Sequence, residues 1–374
     1  MQNKYKFPTI DFIRPTRSSW LPPLQLTAQY AVQKWNSENK VVQIMLDNCS
    51  IQHMEYMFDE VDSQGRSATI EDVEKFGLAP LVELLNVPTV CLSANGLDEM
   101  PGIKITQAYK AYERFCNEFW PGHVDDSEAR YEPLDRVSKE KRVNFNDLPD
   151  DARRVYGISY VCFLHYQQIY RCHFDLTPEQ KFEMYLYGMV HYLDLISAFE
   201  LEIMKYLLWE PNRSLHLTPS SVQERYKKIK DNFGKSGTDL ERCRYLAFDR
   251  AIDSMLLKIP CWVEDNGARA NDLPGAPKIE FWVGTQDKKL VRLCHSIHSS
   301  TTTDSCMGRL CVDREDELRD LPYWRYVDNL ASDVLLSRMG TTRAKGRDTL
   351  ELVNSAIQDI ESNLNVYFES ANGK

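Results

Sequence analysis

Residues 41–47 read VVQIMLD, an apolar run that ends on an acid, and two later stretches repeat the form: VPTVCLSANGLDE at 87–99 and IEFWVGTQD at 279–287. Strands of a parallel sheet that are buried on both faces carry near-continuous apolar runs, and ligands of open α/β sheets bind just beyond the carboxyl ends of the strands. Asp47, Glu99 and Asp287 are therefore expected at one sheet edge, although they lie far apart in the chain. Carboxylates gathered in this way repel one another unless a hard cation such as Mg²⁺ or Mn²⁺ neutralises them. A metal site is the first expectation.

Outward from Asp47, IQHMEYMFDEV, ATIEDVEKF and APLVELLNV have helical apolar spacing and precede the second strand. Strand, helices and strand in alternation predict a parallel sheet with crossover helices. From Ile103 to about Pro260 the pattern turns almost wholly helical, far more than one crossover needs. The division expected is an N-terminal extension (1–40), the first part of an α/β domain (41–102), a helical insertion (103–236), a second part carrying an acidic helix and the last strand (237–310), and C-terminal helices (311–374).

Within the insertion, residues 178–209 read as one apolar helix on which His191, Asp194, Glu202 and Lys205 form a polar stripe. The stripe is expected to face solvent or a cleft, and Glu200, on the opposite side, has no visible partner. Thr238 and Glu241 are spaced as a capping box that starts the next helix. DKKLVRLCHSIH is expected to be a helix followed by a Ser/Thr-rich loop, HSSTTTDS.

The 374 residues include 55 acidic and 45 basic side chains, a formal charge of −10. That balance argues against a general nucleic-acid coat protein, which binds by releasing counterions from phosphate, but not against an enzyme whose acidic pocket is flanked by basic arms. No run of about 18 uninterrupted apolar residues is present, so no membrane partner is expected. The opening MQNKYKFPTIDFIRPTRSSW is unlike a secretory leader. Ten cysteines, none in a C-x-x-C pair, read as reduced residues of a cytoplasmic protein. Cys294, His295, His298, Cys306 and Cys311 lack the tight pairing of a structural zinc site.

IMLDNCSIQHM, TVCLSANGLDEM and FWVGTQDKKLVRL together resemble the PIN-domain nucleases, a family of metal-dependent ribonucleases, over roughly a third of the chain. The resemblance implies a three-layer α/β/α fold with a parallel central sheet, here carrying a large helical insertion. It further implies that Asp47, Glu99 and Asp287 are ligands of Mg²⁺ or Mn²⁺, that Asp249 or Asp253 supplies the acid from a helix, and that Thr285 belongs to the Thr-x-Asp motif and orients water or a ligand. The activity implied is hydrolysis of phosphodiester bonds, RNA more than DNA, by metal-activated water. One departure stands out: the family shows Thr and then Asn or Ser after the first acid, where this chain has Asn48 and Cys49, leaving Ser50 as the candidate for the missing polar group.

Each acid also has a structural use. Glu99 suits the first turn of a helix, Asp287 suits an N-cap before KKLVRL, and Asp249 or Asp253 can pair with Arg250 or Lys258. Arg242, Arg244, Arg250, Lys227, Lys228 and Lys288 are the candidate contacts to a nucleic-acid backbone, although a run such as RYKKIKDNFGK is usually a solvated helix face. Two other classes fit the same residues: a non-catalytic protein that uses the scaffold to bind a protein partner or inhibitor, and another metal-dependent phosphohydrolase, although no Asp-x-Asp pair follows the first strand.

Overall fold

The computed structural model describes residues 7–17, 23–100, 102–121, 123, 144–211, 219–270, 275–300, 309–312, 314, 316–338 and 348–372. The chain opens with β1 (Asp11–Ile13), β2 (Thr16–Arg17), α1 (Ala28–Glu38), β3 (Lys40–Leu46), α2 (Asn48–Ser63), α3 (Ile70–Lys75), α4 (Ala79–Leu85), β4 (Val90–Ser93) and α5 (Gly102–Phe119). Five helices follow: α6 (Asp150–Cys172), α7 (Pro178–Leu193), α8 (Ala198–Leu208), α9 (Ser220–Phe233) and α10 (Leu240–Asp265). The remainder is β5 (Lys278–Thr285), α11 (Lys288–Ser296), β6 (Ile297–Ser300), β7 (Arg309–Val312), α12 (Asp316–Arg319), α13 (Pro322–Arg338) and α14 (Thr349–Asn372). The fold is a mostly helical α/β one, and no helix among the described residues is long and apolar enough to cross a membrane.

The chain divides into two compact units, Met1–Val143 with Leu256–Cys311, and Asn144–Met255 with Val312–Lys374. The chain passes from one to the other at 143/144, at 255/256 inside α10 and at 311/312, where the sequence set bounds at 102/103, 236/237 and 310/311.

In the first unit a four-stranded sheet has the order β1-β5-β3-β4. β3 runs parallel to β4, with Met45 opposite Ser93, and parallel to β5, with Leu46 opposite Gly284. β1 is antiparallel to β5, pairing Asp11 with Thr285. The sheet is therefore mixed, which corrects the wholly parallel sheet expected. The antiparallel edge strand comes from the segment read as an extension: a three-residue strand has too little pattern of its own and is specified by its partner β5. β3 lies between strands reached by connections on either side, so the strand order reverses at it, the point at which open α/β sheets bind their ligands. Val42, Ile44 and Leu46 of β3 and Trp282 of β5 join Ile51, Met54 and Phe58 of α2 in one fully or nearly fully buried core.

β5 also carries Glu280, buried beneath the phenol of Tyr30 (2.7 Å), the indole of Trp282 (2.9 Å) and the guanidinium of Arg14 (3.6 Å). A buried carboxylate persists only with such partners, and together they hold its pKa below the ordinary value despite burial. A second sheet has the order β2-β6-β7, with β2 parallel to β6. The expected helix over DKKLVRLCHSIH accordingly ends at Ser296, and IHSS is strand. Residues 301–308, which include Cys306, lie outside the described residues.

The second unit is helical. α14 packs closely on α6: a Cβ placed on Gly157 would meet Val353 side-chain atoms at 2.9 Å, so glycine is what lets the two helices approach. The span read as one helix is two, because Asp194 adopts a left-handed conformation (φ 47°) and ends α7. The polar stripe is divided: His191 is exposed and Asp194 half-buried, while the other two members turn inward. Glu202 and Lys205 are buried, Lys205 and Glu202 each meet Arg314 or Asp328, and Asp194 is paired with Arg338. Glu200, fully buried, accepts hydrogen bonds from the hydroxyls of Ser159 (2.7 Å), Ser197 and Ser254. α10 is capped by Asp239, whose carboxylate takes the Arg242 N–H at 2.7 Å, in place of the Thr238 and Glu241 box.

Candidate functional site

β3 ends at Leu46, and Asp47 follows in an extended conformation (φ −74°, ψ 154°) as the N-cap of α2. Its amide N–H still completes the sheet by donating to Gly284 O at 3.0 Å, so the residue is held by β5 as well as by its own strand. The carboxylate makes no capping bond to α2. It turns to β5 instead, where Thr285 Oγ1 donates to Oδ2 at 2.5 Å, and the Cys49 thiol donates to the same oxygen at 2.9 Å. Asp47 is 6 % exposed and Thr285 fully buried.

Thr285 links the two acids. Its Oγ1 accepts the Asp287 N–H at 3.0 Å while donating to Asp47, and Asp287 then opens α11. Burial raises the pKa of Asp47 above the ordinary carboxylate value. The bonds from Cys49 and Thr285 oppose that rise, and the neighbouring charge of Asp287 adds to it. Burial also pushes the Cys49 thiol up, with Asp47 reinforcing the effect. Cys49 Sγ additionally receives the Gln286 N–H at 3.3 Å and lies 3.5 Å from Thr285 Oγ1.

The third strand end arrives as a short 3-10 turn, Asn95–Glu99, after β4. A Cβ on Gly96 would fall 2.1 Å from Asn48 N and 2.5 Å from the Asp47 carbonyl carbon, so only glycine lets this turn lie on the Asp47–Asn48 peptide. Glu99 closes the turn, and its side chain is not among the described groups. Ends of β3, β4 and β5 thus share one edge, with Asp47, Thr285 and Asp287 assembled there and the Gly96 turn lying on the Asp47–Asn48 peptide.

Asp249 and Asp253 belong to the helical unit, where Asp249 is exposed and Asp253 accepts from Asn232 at 3.4 Å. Ser50, fully buried, donates to Gly284 O at 3.4 Å, so Cys49 rather than Ser50 is the polar group that meets Asp47. Arg250 is fully buried: its guanidinium donates to Lys235 O, lies 5.8 Å from the Tyr166 ring centre, and has its pKa lowered by burial. That corrects its reading as a backbone contact, since a phosphate cannot reach it. Arg244 is clamped by Glu361 at 2.6 and 2.7 Å, Arg242 lies over Tyr245, Lys228 pairs with Glu224, and Lys227 is exposed. Lys288, in the first unit, is tied to Asp11.

Asp287 does serve as the N-cap foreseen for it, accepting the Lys289 N–H at 2.8 Å. Among the described residues no group of three or more His, Cys, Asp or Glu side chains is close enough to hold a metal ion. Comparison with protein families, with curated proteins and with solved structures returns no match to this chain.

Proposed function

We propose that the edge formed by Asp47, Thr285 and Asp287 is the active site of a metal-dependent phosphodiesterase of the PIN type, acting on nucleic acid and on RNA before DNA. The observation that carries the reading is the buried Asp47 carboxylate, linked through the Thr285 hydroxyl to the residue that bears a second carboxylate. Mg²⁺ is commonly held by one or two carboxylates, with waters and substrate phosphates completing the shell, so this donor pair fits such an ion or Mn²⁺ without a full protein cage.

When bound, a divalent cation supplies charge neutralisation at the scissile phosphate and acidifies a water. The chain's own groups do the remainder. Thr285 holds the Asp47 carboxylate by donating to Oδ2, and Asp287, at the N-cap of α11 just past β5, would bring a second anionic group to the same edge. α2 and α11 both begin at this edge, at Asn48 and Lys288. Their N-terminal partial positive charges favour an anionic ligand such as phosphate.

The test is incubation of labelled RNA and DNA with Mn²⁺ or Mg²⁺, with and without chelator, for the wild type, Asp47→Asn and Asp287→Asn. Metal-dependent cleavage lost in both variants supports the reading. Intact substrate, with protein shown to be folded, favours a non-catalytic interaction protein on this scaffold, a reading supported by the capping bond that Asp287 already makes.

A further inference from the structure

β1 is the terminal strand of its sheet, and a cavity of about 320 Å³ lies between it, residues 23–27 and α11. Phe12, Leu24, Leu26 and Val291 give the cavity apolar walls, and Asp11 and His295 are the ionisable groups on it. Val291 and His295 are four apart and share one face of α11, so the cavity follows the helix that Asp287 caps. Four residues separate Val291 from that cap, about 6 Å along a helix axis. The strand leads to the same place: Asp11 lies opposite Thr285 in the ladder, and Lys288 Nζ donates to Thr9 O at 2.9 Å and pairs with Asp11 at the start of α11. The cavity therefore begins at the edge that holds Asp287 and runs away from it.

Its chemistry suits a flat heterocycle. Cavities for small ligands span about 300–1,000 Å³, with apolar walls and a few placed polar groups, and this one lies at the small end. Phe12 and His295 are both half-buried and line the space with their rings. Burial lowers the His295 pKa, and Arg17 and Arg292 add to the fall, so at neutral pH the imidazole is uncharged and offers one donor and one acceptor. Lys288 is exposed and brings positive charge to the join between the cavity and Asp287, where a phosphate would pass.

Resting on the phosphodiesterase reading above, we infer that this cavity is a base subsite of the same active site: it holds one unstacked base of a single-stranded RNA whose neighbouring phosphate lies at Asp47 and Asp287. Bases of single strands stack on aromatic side chains, and every base has a π-face, so the subsite sets the position of the strand and not its sequence. A base in a duplex is paired and stacked, which keeps it out of the cavity.

The inference is tested on the full chain by fluorescence anisotropy, with Ca²⁺ in place of Mn²⁺ and two labelled probes of equal charge: a decauridylate and a ribose-phosphate decamer that lacks bases. Phe12→Leu removes the ring and keeps the wall apolar, and Val291→Met places a longer, adaptable side chain across the cavity. A thermal melt shows that each variant is folded, and Mn²⁺ calorimetry reports on the acids independently. The expected result is decauridylate binding weakened about 5–100-fold in each variant, the weight of one stacked base, with the base-free decamer and Mn²⁺ bound as by the wild type. Equal decauridylate affinity in wild type and both folded variants, with Mn²⁺ bound, overturns the base subsite and leaves the metal site standing. Absence of Mn²⁺ binding by the wild type overturns both.

Discussion

The Thr285 hydroxyl donates to Asp47 Oδ2 at 2.5 Å, tying the end of β5 to the end of β3 across 238 positions of sequence. The same oxygen of Thr285 accepts the Asp287 N–H, so a single side chain sets the spacing of the two acids. Thr285→Val preserves shape and removes both bonds. The expected cost is about 1–3 kcal/mol, since buried polar partners are left unsatisfied, measured by urea unfolding at neutral pH. A change within error would show that Thr285 does not organise the site.

Gly96→Ala tests the close approach of the turn after β4. Its Cβ would sit 2.1 Å from Asn48 N, and backbone must shift to admit it. Overpacking of this kind costs about 1–3 kcal/mol. Urea unfolding gives the stability, and Mn²⁺ affinity should fall with it because the Asp47–Asn48 peptide is displaced. Full stability would mean that the turn is free to move away.

The pH dependence of Asp47 has a defined sign. Its folded pKa is raised by burial and then by Asp287, so between the unfolded and folded values the native state holds more protons than the unfolded state. Stability therefore falls as pH rises through the folded pKa, and the loss is absent below the unfolded carboxylate value. Asp47→Asn should be more stable than wild type at neutral pH, with the gap closing as pH falls into the ordinary carboxylate range. Chemical denaturation across that range, without divalent ions, is the measurement; a gap that widens on acidification contradicts the burial argument.

The helical unit offers an independent test in the three hydroxyls around Glu200. Ser159→Ala and Ser254→Ala are each expected to cost about 1–3 kcal/mol. Their effects should be non-additive because they share Oε1, which a double-mutant cycle measures. Strict additivity would mean that the hydroxyls do not act on one acceptor.

Long, uniform patterns were legible in the sequence. VVQIMLD and IEFWVGTQD foretold β3 and β5 and the acids that follow them, and the stretch read as almost wholly helical from Ile103 to about Pro260 holds α5 to α10. Elements specified by partners were not. β1 is three residues long and exists because β5 offers it a ladder, and β6 follows α11 with no breaker between them. Asp194 ends α7 in a left-handed conformation that asparagine-like side chains tolerate, a cue weak beside the apolar run around it. Cys49 was visible only as a departure from pattern, and Gly96 only as a loop residue whose purpose needs the neighbouring peptide to be seen.

The site reading turns most directly on Asp287, since its carboxylate already has a structural use as the cap of α11. Asparagine caps helices about as well as aspartate, so Asp287→Asn removes the charge and keeps the cap. Calorimetric titration of Mn²⁺ into wild type and this variant, with urea unfolding alongside, is the deciding measurement. The account predicts a bound ion in wild type and a fall in affinity of tenfold or more in Asp287→Asn at unchanged stability, roughly the weight of one lost interaction at a metal site. Equal Mn²⁺ binding by the two proteins, or none by either, would contradict it.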